Sequence, residues 1–314
     1  MKITLAFIAL LLIFSCNNPA PSDKKAVPET VTHKDSNGVK EILGKQIIAI
    51  KDSCKGELGV YAKVLESNRY FGYAMPHHYP MQSVFKFPLA MYVLHLVDKG
   101  KFKLDDKIHF DKADCQPHTT SPIADKYPNG NVDIPLLEIL EHTVEQSDNN
   151  GCDRLFRLVG GVDSVNNYIH SLGIQQMNIV ATETQMHKDW ETQYSNWSSP
   201  EAMCQLLQIV FEAKALSPPN NACLMKLMTD CKTGAKRIRG LLPEGTVVAH
   251  KTGTGPANKE GINSATNDAG IITLPNGKHL ALVVFLMNSK ADDAARELTI
   301  AKVAKATWDY YSRK

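Results

Sequence analysis

The chain has 314 residues, 43% hydrophobic and 22% charged, with a formal net charge of +2. That balance supports a sizeable core, in one domain or two closely packed ones. A near-neutral charge with no basic cluster among aromatics argues against a general polyanion binder, and the absence of any CxxC, HExxH or His-x-His-x-Asp string argues against a cysteine- or histidine-built metal site; no nucleic-acid partner and no metal are expected.

Lys2 precedes an apolar run from Leu5 to Phe14, too short to span a bilayer as a mature helix. The run ends in Ile13-Phe14-Ser15-Cys16, which has the form of a lipobox, so residues 1–15 read as a lipoprotein signal peptide. Cys16 would then carry the lipid that anchors an exported, periplasm-facing protein to its membrane. An ordinary signal peptide, giving a soluble periplasmic protein, is the alternative. Residues 16–37 contain Pro19, Pro21 and Pro28 among charges and read as a flexible tether. The remaining cysteines, Cys54, Cys115, Cys152, Cys204, Cys223 and Cys231, are free to pair in an oxidising compartment, but sequence selects no pairing. His77-His78, beside Pro76 and Pro80, reads as a solvated loop pair.

Within the domain, Gly59 to Glu66 and Arg69 to Met75 read as strands joined by a turn at Ser67-Asn68. The pattern predicts helices from Ser83 to Lys99, Ile134 to Glu145, Asn150 to Val159 and Val162 to Leu172. Asn178 to Trp197 has no clear period, and a loop of that length is usually functional. Helices return over Pro200 to Leu216 and Asn220 to Thr229, followed by strands at Thr246 to Thr254, Asp268 to Leu274 and Leu280 to Met287. Pro275-Asn276-Gly277 between the last two is an antiparallel hairpin signal. Ala294, Leu298, Ala301 and Trp308 fall at helical spacing in a terminal helix. Strands at both ends around a helical middle give an α/β fold: an antiparallel sheet of about five strands flanked by helices, with an inserted all-α subdomain. Residues 38–80 and 228–314 would form the α/β part and 81–227 the mainly helical part, with the active site in the cleft between them.

Three strings carry the chemistry. Ser83-Val84-Phe85-Lys86 puts a hydroxyl and an amine three residues apart, on one helical face. Ser83 at a helix start would lie among unpartnered amides that can stabilise an oxyanion, and a desolvated Lys86 could activate its hydroxyl. Pro88 follows in the early turns of that helix and lacks an N–H. Ser147-Asp148-Asn149 lies between two helices, where Ser147 or Asn149 could merely cap the second; functionally, Ser147 is a proton relay and Asn149 a substrate-binding amide. Lys251-Thr252-Gly253 lies on a strand, where lysine often marks a solvated edge. Functionally it offers a positive charge for a carboxylate, a hydroxyl, and room for close backbone approach.

Together and in this order, the strings resemble those of the class A serine β-lactamases, over nearly all of the chain from Gly38 onward. The resemblance implies that Ser83 is acylated, with Lys86 its neighbouring base, and that Ser147 passes a proton to the β-lactam nitrogen. Asn149 would bind the substrate's side-chain amide, and Lys251, Thr252 and Thr254 its carboxylate end, with backbone amides of Ser83 and Thr254 as the oxyanion hole. Glu183, in the long loop, corresponds to the glutamate that orients the hydrolytic water; the acylation base is either Lys86 or Glu183. Two departures, Ala181 where an arginine is common and His187 where an asparagine shares the water, resemble the PER- and VEB-like extended-spectrum branch. Arg237 matches an alternative source of the guanidinium that faces the substrate carboxylate. Gln82 and Gly255 stand where the carbapenem-hydrolysing branch has a disulfide. No cofactor is implied, and a monomer acting on small-molecule β-lactams, bulky cephalosporins included, is expected. The rival readings are a D-Ala-D-Ala carboxypeptidase or transpeptidase, or a non-hydrolytic penicillin-binding sensor, which share the three strings; Glu183 argues against them.

Overall fold

The computed structural model of the protein describes residues 31–33, 39–67, 69–74, 77–117 and 119–313; the signal peptide, Cys16 and most of the expected tether lie outside them. The chain opens with β1 (Val31–His33), α1 (Val39–Lys51), β2 (Glu57–Val64), β3 (Tyr70–Tyr73), β4 (Tyr79–Pro80) and α2 (Lys86–Asp98). Its middle holds β5 (Lys107–Phe110), α3 (Pro122–Lys126), β6 (Val132–Pro135), α4 (Leu136–Glu145), α5 (Asn149–Leu158) and α6 (Val162–Ser171). The long loop contains β7 (Met177–Asn178), α7 (Glu183–Met186) and β8 (Trp197–Ser198), and is followed by α8 (Pro200–Phe211) and α9 (Pro218–Thr229). β9 (Val248–Thr254), β10 (Asn263–Thr273), β11 (His279–Ser289) and α10 (Asp293–Tyr311) close the chain.

The main sheet is antiparallel in the order β1-β3-β2-β11-β10-β9, so N- and C-terminal strands meet at the β2–β11 pair. β1 was read as tether, yet it pairs with β3 as an edge strand. Successive side chains of a strand point to opposite faces, and β11 is apolar on both. Leu280, Leu282, Val284 and Leu286 enter a core with Leu43 and Ile47 of α1 and Ile300 and Val303 of α10. Ala281, Val283, Phe285 and Met287 enter the other core, continuous with the helical layer through Phe87 and Leu206. α8 therefore packs on the sheet although it lies within the mainly helical stretch.

Several sequence readings shift. Ile134 and Pro135 belong to β6, paired with β5, and α4 starts only at Leu136. α8 stops at Phe211, five residues before Leu216, while β10 extends back to Asn263. On α10, Leu298 is 43% exposed, whereas Arg296 and Thr299 are buried: polar residues with partners take the inner face. His78 stacks on Trp197 with ring centroids 3.5 Å apart. The six cysteines are free thiols.

One side chain ties the sheet to the segment leading into Ser83. Asn267 of β10 is fully buried; its Nδ2 donates to the carbonyls of Pro80 at 2.7 Å and Met81 at 3.1 Å, while its Oδ1 accepts from Leu286 N at 3.1 Å. Asn267→Leu keeps the branching and heavy-atom count but strands these backbone groups, so it should cost about 2–4 kcal/mol of stability. An unchanged urea midpoint and slope would show that the tie contributes nothing.

Candidate active site

Ser83 sits in a 3₁₀ turn, Gln82–Phe85, ahead of α2 rather than in the first α-helical turn. In a 3₁₀ turn positions i and i+3 eclipse, and Lys86 Nζ lies 3.1 Å from Ser83 Oγ. Gln82 has φ 48°, a left-handed conformation rarely adopted outside glycine. It is held there by burial and by its amide, which donates to Gln193 O at 3.1 Å. Pro88 falls within the first turn of α2, where an N–H would have no intrahelical partner.

Ser147 is also left-handed, with φ 61°. The cap of α5 is Asp148, not Ser147 or Asn149. Its fully buried carboxylate accepts from Gly151 N at 2.8 Å, Ser121 Oγ at 2.8 Å and Ile123 N at 2.7 Å. Those bonds fix the turn, leaving Ser147 and Asn149 to face Lys86. The Lys86 ammonium, 0% exposed, contacts Ser147 O at 2.8 Å, Asn149 Oδ1 at 2.5 Å and Glu183 Oε1 at 2.9 Å, besides Ser83. Asn149 Nδ2 donates to Thr119 Oγ1 at 2.7 Å.

Glu183 is 4% exposed, not a solvated loop charge, and its Oε1 accepts from Ser83 Oγ at 3.3 Å. Two residues overlooked in the sequence place it. Asp153 of α5 accepts from Glu183 N at 2.7 Å and Thr184 N at 2.9 Å, holding the start of α7. Its burial raises its own carboxyl pKa, against these donors. Asn196, fully buried, clasps the loop's neck: its Oδ1 accepts from Val180 N at 2.8 Å and Ala181 N at 2.9 Å, and its Nδ2 donates to Ala181 O at 2.7 Å. Neither is signalled by local pattern, because each acts on chain far away in sequence. His187 Nδ1 lies 2.7 Å from Glu183 O; a carbonyl only accepts, so Nδ1 carries a proton.

Lys251 is on an edge strand yet 0% exposed, because the Ser83 turn covers that edge. It donates to Ser147 Oγ and Thr252 O, each at 3.0 Å. A Cβ on Gly253 would lie 2.3 Å from Met81 O and 3.2 Å from Ser83 N, so the close approach the glycine permits is that of β9 to the nucleophile's own turn. Thr252 Oγ1 is 2.5 Å from Thr233 Oγ1, one hydroxyl donating to the other. Arg237 lines the cleft, but its donors are largely committed: Nη1 donates to Gly253 O at 3.1 Å and Asn267 O at 3.0 Å, and Nη2 to Thr254 Oγ1 at 2.6 Å. Its Nε pairs with Glu297 at 3.2 Å. Ser83, Ser147, Glu183, His187 and Thr254 line one cleft of about 410 Å³. A second cavity of about 180 Å³, beside Asp153, shares Asn149, Glu183 and His187 with it.

The family described as "Beta-lactamase enzyme family" matches residues 42–311. The chain is 45% identical to β-lactamase VEB-1 of Pseudomonas aeruginosa, over 76% of this chain and 79% of that protein. It is 42% identical to the extended-spectrum β-lactamase PER-1 of Pseudomonas aeruginosa, over 75% and 76%. Among solved structures, the TLA-3 extended-spectrum β-lactamase matches with a TM-score of 0.86 at 46% identity, over 88% of this chain and 100% of that one. A β-lactamase from Chitinophaga pinensis matches with a TM-score of 0.84 at 48% identity, over 86% and 99%.

The contact between Gly253 and the nucleophile turn is directly testable. Gly253→Ala forces backbone apart in a packed site and should cost about 1–3 kcal/mol, lowering the urea midpoint. A variant as stable as wild type would mean that the turn yields freely.

Proposed function

The chain belongs to the class A β-lactamase family and hydrolyses the β-lactam amide bond through a serine acyl-enzyme, conferring resistance, and we propose the following roles for its residues. Ser83 attacks the lactam carbonyl, and its proton passes to Glu183 Oε1, 3.3 Å away. Lys86 points its ammonium at Ser147 O, Asn149 Oδ1 and Glu183 Oε1, all acceptors, so in the resting site it is a donor and not a base. The developing oxyanion takes the backbone N–H groups of Ser83 and Thr254. Ser147 gives its proton to the leaving nitrogen and regains one from Lys86 at 3.4 Å, which takes in turn the proton held by Glu183 at 2.9 Å and so leaves Glu183 ionised again; Lys251 Nζ lies 3.0 Å from the same hydroxyl. Lys251, Thr252 and Thr254 hold the substrate carboxylate, with Arg237 setting the Thr254 hydroxyl. Asn149 receives the substrate's side-chain amide, and His187 borders the same wall.

In the second step Glu183 takes a proton from water, the hydroxide attacks the ester carbonyl, and Ser83 leaves with a proton returned. The observation that carries this reading is the Glu183 carboxylate within reach of both Ser83 Oγ and Lys86 Nζ. A sensor that keeps its acyl group has no use for a general base at the ester. The likeness to VEB-1 and to extended-spectrum PER-1 supports cephalosporins, bulky ones included, as substrates. We further propose that the enzyme acts as a monomer, anchored through lipidated Cys16 and facing the periplasm; the lipobox and the proline-rich segment behind it support that placement.

With a chromogenic cephalosporin, wild-type enzyme should turn over many equivalents, while Glu183→Gln, in which Lys86 loses its carboxylate partner and can take the Ser83 proton itself at 3.1 Å, should acylate slowly and stall as a stable one-to-one adduct by intact mass. Deacylation should fall by at least about a hundredfold, the loss typical of removing a general base. Ser83→Ala should form no adduct. Normal turnover by Glu183→Gln would remove the loop glutamate from the mechanism. For the anchor, Cys16→Ser should move the protein from the membrane to the soluble fraction after cell fractionation; unaltered membrane association refutes lipidation at Cys16.

A further inference from the structure

Two hydroxyls of β9, those of Thr252 and Thr254, face the substrate carboxylate in the reaction above. A carboxylate only accepts hydrogen bonds, so each hydroxyl must give it a proton. What lies behind each hydroxyl decides whether that proton is free. Behind Thr254 is Arg237, whose Nη2 donates to Thr254 Oγ1 at 2.6 Å. A guanidinium cannot accept, so the Thr254 proton is left for the cleft. Behind Thr252 stands Thr233, a residue to which the reaction gives no part. Its Oγ1 lies 2.5 Å from Thr252 Oγ1, and both residues line the cleft.

The fold builds this contact from both sides. Thr252 is buried, and its methyl group faces Gly234: a Cβ on that glycine would lie 2.5 Å from Thr252 Cγ2. Gly234 also has φ 68°, so the turn and the missing side chain together bring the Thr233 segment against β9. With Cγ2 against Gly234 and Oγ1 against Thr233, the stiff χ1 of Thr252 is fixed. The segment itself is pinned around Thr233. Lys232 N donates to Glu145 O at the end of α4 at 2.8 Å, and Arg237 N to Gly234 O at 2.9 Å. Arg239 Nη1 donates to Cys231 O at 3.0 Å.

Two touching hydroxyls carry two protons, and only one can lie between them. Once a carboxylate takes the proton of Thr252, the bond between the two oxygens must use the proton of Thr233. Thr233 then does for Thr252 what Arg237 does for Thr254. Cys231 Sγ, 3.3 Å from Thr233 Oγ1, is a weak hydrogen-bonding partner beside it.

We propose that Thr233 is a positioning residue for the substrate carboxylate: its hydroxyl donates to Thr252 Oγ1 and so turns the Thr252 proton toward the anion. Without it, Thr252 can present lone pairs to the carboxylate, and anion binding weakens while the chemistry at the lactam carbonyl is untouched. The proposal rests on the carboxylate-binding role given to Thr252.

The test compares kcat/KM for a cephalosporin with that for the methyl ester of its ring carboxylate. Wild type, Thr233→Val, Thr233→Ser, Thr252→Val and the double valine variant are measured. Thr233→Val replaces the hydroxyl by a methyl group at nearly the same shape, and Thr233→Ala serves if valine prevents folding. The acid-to-ester ratio should fall by on the order of tenfold in Thr233→Val, the scale of a lost hydrogen bond serving a charged group. Thr233→Ser, which restores the hydroxyl, should return it toward wild type. Damage to the fold or to Ser83 lowers both activities together and leaves the ratio unchanged, so an unchanged ratio in Thr233→Val overturns the proposal. A fall that serine does not reverse overturns it as well. Because Thr233 acts through Thr252, the double variant should have the ratio of Thr252→Val alone; a further tenfold fall would show that Thr233 acts independently and would sink the positioning role. A wild-type ratio in Thr252→Val removes the carboxylate-binding role of Thr252 itself. A lowered ratio there, beside an unchanged one in Thr233→Val, removes only the role of Thr233.

Discussion

A lysine ammonium shut away from water is tolerable only where acceptors surround it, and much of this active site is arranged around the acceptors of Lys86. They come from distant stretches of chain: Ser83 one turn away, Ser147 and Asn149 at the head of α5, and Glu183 in the long loop. Each must be held in place for the charge to stay buried. The left-handed turn at Ser147, the Asp148 cap and the Asp153 hold on α7 all serve that requirement. The catalytic arrangement and the solvation of one cation are thus the same geometry. Lys251 repeats the problem on the facing strand, sharing Ser147 as an acceptor.

The long loop shows how the same end is reached without an ion pair at its neck. With alanine at position 181, closure falls to the neutral amide of Asn196, which binds the backbone of Val180 and Ala181 from both its oxygen and its nitrogen. The short β7–β8 pairing, Met177 to Ser198 and Asn178 to Trp197, seals the base. An amide clasp neither titrates nor is screened by salt, unlike a surface ion pair.

What could be read from the sequence was whatever depends on spacing. The separation of Ser83 and Lys86, the Asn-Gly hairpin and the apolar runs of β2 and β11 each encode a local geometry. What could not be read was whatever depends on a partner far along the chain. Asn267, Asp153 and Asn196 look like ordinary polar residues until the fold brings Pro80, Glu183 and Ala181 to them. Ile134 read as helix because a short apolar stretch suits either element, and only the β5 partner decides it. Leu298 read as core because spacing counts apolar residues. Arg296, which donates to Thr266 Oγ1 at 2.8 Å, took the inner face instead.

The strand order has a practical reach beyond catalysis. β1 lies at one edge of the sheet, and β9, with Lys251, forms the other. Five inter-strand steps of about 4.8 Å separate them by roughly 24 Å. The edge formed by Val31–His33 is therefore the one remote from the strand that carries Lys251. A label or attachment point placed on β1 itself would sit across the full width of the sheet from that strand.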